Sequence, residues 1–214
     1  MRTAPPRIAL IDYGAGNLRS VAKALERSAL AVEVTSDAAA VRRADAVVLP
    51  GVGAFAAAAA NLRAKGMDEA VLEAIDSGRP YLGLCLGLQL LFEDSDEHGV
   101  TRGLARFRGA VRRFPDRSAG EPLRVPHIGW NEVRWSGDHP LLAGLPERDT
   151  YYFVHSYRAL PDDPAVQVGS CDYGGPFAAA VARGNMFAVQ FHPEKSQGAG
   201  KRLLDAFASW VSAR

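Results

Sequence analysis

The sequence has 214 residues, of which 48% are hydrophobic and 23% charged, a composition typical of a globular protein with a core of its own. Its 25 Lys and Arg residues nearly balance 24 Asp and Glu residues, and the net charge of +1 argues against a nucleic-acid-binding protein. We find no apolar run near the roughly 20 residues that span a bilayer, and no apolar signal segment follows the N-terminus, so we expect no membrane association and no secretion.

Short apolar runs alternate with segments of helical periodicity in the first part of the chain. The runs that predict strands are Ile8–Ile11, Ala31–Thr35, Ala46–Leu49 and Tyr81–Leu84. The segments that predict helices are Asn17–Ala29, Val41–Ala44, Ala54–Ala64 and Met67–Ser77. Because strands that are apolar on both faces pair in parallel under covering helices, the pattern predicts an α/β fold with a mostly parallel, doubly wound sheet. Ligands of such sheets bind at the carboxyl ends of the strands.

The second part of the chain is richer in strand-like segments. These are Arg106–Phe114, Glu132–Trp135, Tyr151–Tyr157, Ala165–Cys171, Phe177–Arg183 and Met186–Phe191. We expect a surface loop over Pro115–Pro126, a hairpin turn at Gly184–Asn185 and a closing amphipathic helix over Lys201–Val211. No linker divides the sequence, so a single domain over residues 1–214 is expected.

The fourth apolar run continues directly into Gly83-Leu84-Cys85-Leu86-Gly87 and then into a helical segment. A cysteine between two glycines at a strand–helix junction is typical of a nucleophile elbow, a sharp turn where larger side chains would collide with neighbouring backbone. The helix dipole would favour the thiolate of Cys85, and the N–H of Leu86 would lie beside a developing oxyanion. The alternative interpretation is a buried cysteine that packs as a small hydrophobic residue.

A thiolate nucleophile needs a proton acceptor, and the acceptor needs a group that orients it. Of the five histidines, His192 follows an apolar strand, so it can emerge at the same sheet edge as Cys85. Glu194, two residues later, can bond the far nitrogen of the ring. A His–Glu pair on the surface is the alternative for this motif taken alone. Together with the elbow, it predicts a Cys85–His192–Glu194 triad.

The segment Pro50-Gly51-Val52-Gly53 also follows a predicted strand. Backbone N–H groups beside glycines are free to face a developing negative charge, so the segment supports an oxyanion hole. A tight turn without further role explains it equally well in isolation.

The elbow, with Gln89 four residues after the cysteine, and the Phe191–Glu194 motif together resemble the class I (triad) glutamine amidotransferases. Further segments resemble, within that class, the glutaminase subunits of imidazole glycerol phosphate synthase. They are Ile11–Leu18, Pro50–Gly53, Pro126–Asn131, Tyr152–Tyr157 and His192–Ser196. The resemblance covers nearly the whole chain and implies a parallel sheet with an antiparallel extension.

The resemblance also implies roles for individual residues. Cys85 would attack the side-chain amide of glutamine, and His192 would protonate the departing ammonia. The oxyanion hole would be formed at Gly51, Val52 and Leu86. The glutamine would be held by Gln89, Glu97, Ser156 and Tyr157, with Glu97 pairing the α-ammonium group. The residues that face a partner would be Trp130 and Lys195.

Some of these residues have ordinary alternative roles. Glu97 belongs to an acidic run, Glu93–Glu97, that could be a solvated face. Trp130 could be a core aromatic, and Lys195 an ordinary surface charge. Cys171 lies in a strand-like segment without flanking glycines, and we expect it to be a packed thiol. Two cysteines make no disulfide framework, which favours a cytoplasmic location.

The partner that the resemblance implies is a cyclase subunit with a (β/α)₈ barrel, assembled with this chain as a heterodimer. The cyclase would use the ammonia to form imidazole glycerol phosphate and an aminoimidazole carboxamide ribotide in histidine biosynthesis. A direct transfer makes chemical sense, because ammonia released into neutral water becomes ammonium. The resemblance implies no metal or organic cofactor, and the remaining histidines lack ligand-like spacing.

Three other functions are open at this point. A glutaminase domain for anthranilate or guanylate synthesis typically carries a Pro-Gly-Gly-Pro-like oxyanion segment, unlike Pro50–Gly53 here. A freestanding cysteine hydrolase that acts on γ-glutamyl compounds would be highly active without a partner. A catalytically silent interaction module would keep the fold alone.

Overall fold

A computed structural model describes residues 4–14 and 16–214. Met1–Thr3 of the N-terminal segment and Ala15 of the Ile11–Leu18 motif lie outside this range. The helices are α1 Leu18–Glu26, α2 Ala38–Arg43, α3 Phe55–Ala64, α4 Met67–Asp76, α5 Leu86–Gln89 and α6 Gln197–Ser212. The strands of the first half are β1 Arg7–Ile11, β2 Ala31–Thr35, β3 Ala46–Leu49, β4 Tyr81–Leu84, β5 Asp94–Ser95 and β6 Thr101–Arg102. Those of the second half are β7 Gly109–Arg113, β8 Arg117–Ser118, β9 Glu121–Pro122, β10 His127–Trp135, β11 Arg148–His155, β12 Tyr157–Pro161, β13 Gln167–Asp172, β14 Pro176–Arg183 and β15 Met186–Val189.

The centre of the described chain is a nine-stranded sheet with the order β11-β10-β13-β14-β15-β4-β3-β1-β2. The strands from β15 to β2 pair in parallel, whereas those from β11 to β15 pair antiparallel. This arrangement confirms the predicted parallel sheet with an antiparallel extension. The turn at Gly184–Asn185 joins the antiparallel pair β14 and β15, as the sequence predicts.

Alternation along the buried strands explains why helices cover both faces of the sheet. In β1, Ile8 and Leu10 face a core that includes residues of α1 and α6, whereas Ala9 and Ile11 face a second core against α3 and α4. Successive strand residues point to opposite faces, so a strand that is apolar at every position must be buried on both sides. The N-terminal strands and helices therefore match the predicted runs closely.

Differences from the predicted elements occur where tertiary contacts decide the local structure. Helix α1 ends at Glu26, and Ala29 takes a left-handed conformation with φ 58°, so it does not extend the helix. The predicted loop Pro115–Pro126 contains the small hairpin of β8 and β9. The predicted strand Tyr151–Tyr157 is interrupted at Ser156.

This interruption carries the chain from one sheet to another. Before Ser156, β11 pairs with β10 in the large sheet, and after it, β12 pairs with β7 in a separate sheet of order β12-β7-β5-β6. The short strands β5 and β6 of this second sheet were not predicted, because two-residue strands leave no periodic signal. Within residues 4–14 and 16–214, no helix is both long and apolar enough to cross a membrane.

Candidate active site

Cys85 occupies the sharp turn that the sequence predicts between β4 and α5. Its backbone has φ 53° and ψ −104°, and its N–H donates to the carbonyl of Val189 at 2.8 Å. The glycines leave the space that the turn needs, since a Cβ on Gly87 would lie 1.9 Å from the Leu49 carbonyl oxygen and one on Gly83 would lie 2.7 Å from the Gly87 carbonyl oxygen. Strain at such a turn is typical of functional sites.

Helix α5, which follows the elbow, is only four residues long. A helix of one turn sums few peptide dipoles, so its N-terminus favours a thiolate less than the sequence analysis expects. Formation of the thiolate therefore depends mainly on the side chains that face the sulfur.

His192 is the principal of these side chains, and Glu194 orients it. Nδ1 of His192 lies 2.9 Å from Oε1 of Glu194, and the two side chains are 4% and 2% exposed. The backbone N–H of His192 donates to the Tyr152 carbonyl, and Oγ of Ser196 donates to the backbone carbonyl of His192 at 2.6 Å. These bonds fix the segment after β15, so the His–Glu pair is buried beside the elbow rather than exposed on the surface.

The ionisation of His192 is set by competing effects. Burial of the ring lowers its pKa, but hydrogen bonds and charge interactions with Cys85 and Glu194 outweigh burial and raise the pKa to about 10. A histidine that holds its proton beside a cysteine favours a thiolate–imidazolium pair. Such a pair supplies both a nucleophile and a proton donor for a leaving group.

A cavity of about 310 Å³ opens beside the Cys85 thiol. All four residues that the resemblance assigns to glutamine binding line this cavity, and so do Cys85 and His192. The full lining consists of Val52, Gly53, Cys85, Leu86, Gln89, Glu97, Pro126, Val154, His155, Ser156, Tyr157, His192 and Lys195. The break between β11 and β12 brings Ser156 and Tyr157 to this cavity, and the turn that follows β5 brings Glu97.

The expected oxyanion segment meets the cavity at Val52, opposite Leu86. Gly51 does not line the cavity; it lies behind Val52, where an added Cβ would come within 2.6 Å of both the Leu86 Cβ and the Tyr13 hydroxyl. The Tyr13 hydroxyl donates to the Pro50 carbonyl at 2.9 Å. Gly51 thus permits a close approach between this segment and the elbow.

Glu97 is half-buried at the cavity rather than part of a solvated acidic face. One of its carboxylate oxygens accepts from the Phe55 N–H at 2.6 Å, at the N-terminus of α3. The rest of the acidic run also has partners, since Asp94 pairs with Arg112 at 2.6 Å and Glu93 accepts from the Gly109 N–H.

Trp130 is 49% exposed, so the alternative of a core aromatic is wrong for this residue. Its ring meets the edge of Tyr152 with centroids 5.9 Å apart, and Nζ of Lys195 lies 5.7 Å from the centroid of the same Tyr152 ring. Ile128, on the same strand β10, is 56% exposed. These four residues, here called the β10 patch, lie beside the segment that carries His192.

The structure adds two residues to the site that the sequence analysis did not assign. Nε2 of Gln190 donates to Sγ of Cys85 at 3.6 Å, and Nδ2 of Asn17 lies 3.4 Å from Oε1 of Glu194. Gln190 immediately precedes the Phe191–Glu194 motif, so its position at the strand end was the available signal. Asn17 is brought near by α1, and the sequence gives no sign of that contact.

Within residues 4–14 and 16–214, Cys171 and the other cysteine, histidine and acidic side chains form no second candidate site. Cys171 is buried in β13, and burial raises its pKa to about 12. Among the described residues, no group of three or more His, Cys, Asp and Glu side chains is arranged to hold a metal ion.

Comparisons with known proteins agree with this geometry. Residues 9–209 match the family model for class-I glutamine amidotransferases. The chain is 52% identical over 209 residues to imidazole glycerol phosphate synthase subunit HisH of Methylococcus capsulatus, covering 95% of this chain and 96% of that protein. It is 50% identical to the subunit HisH of Syntrophotalea carbinolica, covering 94% and 98%. The structure of PurLQS from Thermotoga maritima superposes with a TM-score of 0.71 at 19% identity, covering 97% and 99% of the two chains.

Proposed function

Because the chain belongs to the class-I glutamine amidotransferases, and among them to the HisH subunits of imidazole glycerol phosphate synthase, we propose that Cys85, His192 and Glu194 hydrolyse glutamine and that the ammonia passes to a cyclase partner. One observation carries the assignment of the triad. The buried His192–Glu194 pair, joined at 2.9 Å, lies beside the strained Cys85 turn at the mouth of one cavity.

The reaction follows from the ionisation of these groups. The Cys85 thiolate attacks the side-chain carbonyl carbon of glutamine, and the C=O electron pair moves to the oxygen. When the tetrahedral intermediate collapses, the C–N bond breaks and His192 gives its proton to the departing nitrogen, so ammonia leaves and a γ-glutamyl thioester remains. His192 then takes a proton from water, which attacks the thioester and releases glutamate and the thiolate.

Glu194 keeps the His192 ring in one orientation through both steps. Its Oε1 is bonded to Nδ1, so the other ring nitrogen faces Cys85 and the departing group. The negative charge on the intermediate oxygen is stabilised by backbone N–H groups at Leu86 and at the Gly51–Val52 segment. The exposure of Val52 and Leu86 to the cavity supports this assignment.

Four residues of the cavity hold the glutamine in this proposal. Glu97 pairs the α-ammonium group, because its half-buried carboxylate is the acidic group that lines the cavity. Both hydrogens of Nε2 of Gln89 are donated to the Tyr157 carbonyl and to Gln190, so Gln89 contacts a ligand through its carbonyl oxygen. Ser156 and Tyr157 complete the set.

The partner binds, in this proposal, at the β10 patch. An exposed tryptophan beside an exposed isoleucine is typical of a protein interface, where aromatic residues are enriched. Lys195 both lines the cavity and contacts the Tyr152 ring, so the patch and the site of ammonia release adjoin. The partner is a cyclase with a (β/α)₈ barrel, in a cytoplasmic heterodimer with this single-domain chain.

A three-way assay tests the proposal. Glutamate formation from glutamine is measured for the chain alone, with the cyclase subunit, and with the cyclase subunit and its ribotide substrate. We expect hydrolysis to rise on addition of the partner, and Trp130→Ala to weaken that rise without removing the triad. High and equal rates under all three conditions would instead indicate a freestanding hydrolase.

A further inference from the structure

A line of hydrogen bonds leads away from the Cys85 sulfur into the protein. Gln190, whose Nε2 donates to Sγ at 3.6 Å, is fully buried. Oε1 of Gln190 accepts from Nε2 of Gln89 at 3.0 Å. The Gln89 contact fixes which end of the Gln190 amide faces the sulfur, because Nε2 of Gln89 can only donate. The N–H end of Gln190 must therefore point to Cys85.

The line continues through a shared backbone carbonyl. The oxygen of Tyr157 accepts from Nε2 of Gln89 at 3.0 Å, and it is bonded to Nδ1 of His155 at 2.8 Å. Nε2 of His155 lies 3.1 Å from Nδ1 of His127. Nε2 of His127 lies 3.5 Å from Nδ2 of Asn131, which lies on β10 next to Trp130.

The protons of the two histidines follow from this geometry. A carbonyl oxygen only accepts, so Nδ1 of His155 carries a hydrogen. Burial lowers the pKa of His155 to about 3 and that of His127 to about 4, so each neutral ring carries one hydrogen. Nε2 of His155 is then an acceptor, Nδ1 of His127 is the donor to it, and Nε2 of His127 accepts from Asn131. The donors thus point one way, from Asn131 to the Tyr157 carbonyl.

We propose that Gln190 is a positioning residue for the nucleophile and that this line from Asn131 to Gln190, here called the Asn131–Gln190 chain, holds its amide in place. The inference deepens the proposed function and rests on it. The hydrogen bond from Gln190 is strongest when sulfur carries a full negative charge, so it stabilises the thiolate more than the thiol or the thioester.

The position of Gln190 separates this role from substrate binding. Gln190 does not line the 310 Å³ cavity, whereas Gln89 does. Loss of the Gln190 donor should therefore lower kcat and raise the pH at which Cys85 becomes reactive, with little change in KM. A purely structural role would instead lower the stability without moving the titration of the thiol.

The test uses the full chain with Cys171→Ala, so that alkylation by iodoacetamide reports on Cys85 alone. Gln190→Met removes the donor to Cys85 at similar volume, and Gln89, which loses its contact with Oε1 of Gln190, keeps its hydrogen bond to the Tyr157 carbonyl. His127→Phe removes the donor to His155 and keeps a ring against Tyr173 and Phe153, whose centroids lie 4.0 and 4.8 Å away. Tyr173→Phe is the matched control, since it alters the same ring stack and leaves every hydrogen bond of the Asn131–Gln190 chain in place.

The alkylation midpoint is the pH at which iodoacetamide reacts with Cys85 at half of its maximal rate. For Gln190→Met we expect this midpoint to rise by about one pH unit, because a hydrogen bond to a charged group is lost. We expect kcat for glutamine, measured with the cyclase partner, to fall about tenfold, with KM within about twofold of the parent. His127→Phe should shift the midpoint in the same direction by about half as much. Tyr173→Phe should match the parent.

An unchanged midpoint in folded Gln190→Met, or in folded His127→Phe, would overturn the proposal; circular dichroism and thermal unfolding report whether each variant is folded. Since the midpoint does not depend on glutamine turnover, it separates this inference from the proposed function. Failure of the proposed function would appear as absent hydrolysis by the parent chain with its partner.

Discussion

The elbow around Cys85 and the strand β13 around Cys171 bury their cysteines almost equally, at 7% and 4% exposure, and give them opposite properties. Cys171 packs in the core, where burial raises its pKa to about 12 and leaves an inert thiol. Cys85 has a strained backbone, an open cavity and a hydrogen bond to a histidine that retains its proton. Reactivity thus comes from the partners of the thiol and from access to it, since burial is nearly the same.

A similar contrast separates the histidine that follows β15 from the two histidines at the facing ends of β10 and β11. The elbow region keeps a charged pair, in which His192 has a raised pKa beside Glu194. The antiparallel half keeps neutral groups, and the pKa values of His127 and His155 are lowered by burial. A charged pair near a cavity supports chemistry, whereas buried neutral groups contribute packing and oriented hydrogen bonds.

Replacing each cysteine with alanine should give the largest difference between the two regions. Cys85→Ala removes the nucleophile and should lower glutamine hydrolysis by more than about a thousandfold. Cys171→Ala should leave the rate within about twofold and cost about 1 kcal/mol of unfolding free energy. Both rates are measured with the partner present. Comparable losses in the two variants would show that the site is not confined to the elbow.

Glycine substitutions test the packing of the two regions. Gly87→Ala puts a Cβ 1.9 Å from the Leu49 carbonyl oxygen, so the unfolding free energy should fall by about 3 kcal/mol or more. Gly169→Ala, in β13, meets side-chain atoms of Ala180 and Trp135 at 2.9 and 3.0 Å, and the loss should be about 1 kcal/mol. Urea unfolding measures both. Equal losses would contradict the tighter packing of the elbow.

Glu194→Gln should weaken the charged pair while keeping its shape. The neutral amide removes the charge interaction that raises the pKa of His192, so the imidazolium becomes less stable and kcat should fall about a hundredfold. The pKa of His192 should move downward, which proton NMR of the ring can follow. A variant with unaltered kcat would exclude Glu194 from the triad. Glu147→Gln, on an exposed surface residue, is the control.

Acid should lower the unfolding free energy of the protein through the two buried histidines, His127 and His155. Because the folded-state pKa values of His127 and His155 lie near 4 and 3, below the usual 6.5, the unfolded chain binds more protons as the pH falls. Stability is present above pH 6.5 and is lost as the pH falls toward these values, by about 1 kcal/mol per pH unit for each ring.

Urea unfolding at pH 7 and pH 5.5 measures this effect. The His127→Phe variant should lose about half of the pH dependence that arises from the pair. His98→Asn, which replaces an exposed histidine at φ 57°, should retain all of it. If the His127→Phe variant kept the whole dependence, the ring would not be neutral in the folded protein.

How far the sequence predicts the molecule differs between its two halves. The strands β3 and β4 are buried at every residue, as is β1 after Arg7, so their bounds follow closely from the apolar runs. The Gly83–Gly87 elbow is predictable because its glycines are needed at fixed positions. The break at Ser156 and the short strands β5 and β6 arise from pairing between distant segments, which local periodicity does not encode.

The candidate site shows the same division. Cys85, His192 and Glu194 are predictable because each stands next to a strand end in a motif with a chemical reason. Gly51 was expected to face the oxyanion, yet its main structural role is the close approach to Leu86 and Tyr13. The position of Gln190 beside the Phe191–Glu194 motif is a signal in the sequence, but its contact with the Cys85 sulfur depends on the side-by-side pairing of β4 and β15, which local sequence does not encode.

The most direct measurement of the central claim is where a glutamyl group becomes attached. The chain and its cyclase partner are incubated with glutamine, quenched in acid during turnover, and digested for peptide mass mapping. The account predicts a γ-glutamyl adduct on the peptide that contains Cys85 and none on the peptide that contains Cys171. An adduct on Cys171, or turnover that persists in Cys85→Ala, would contradict it.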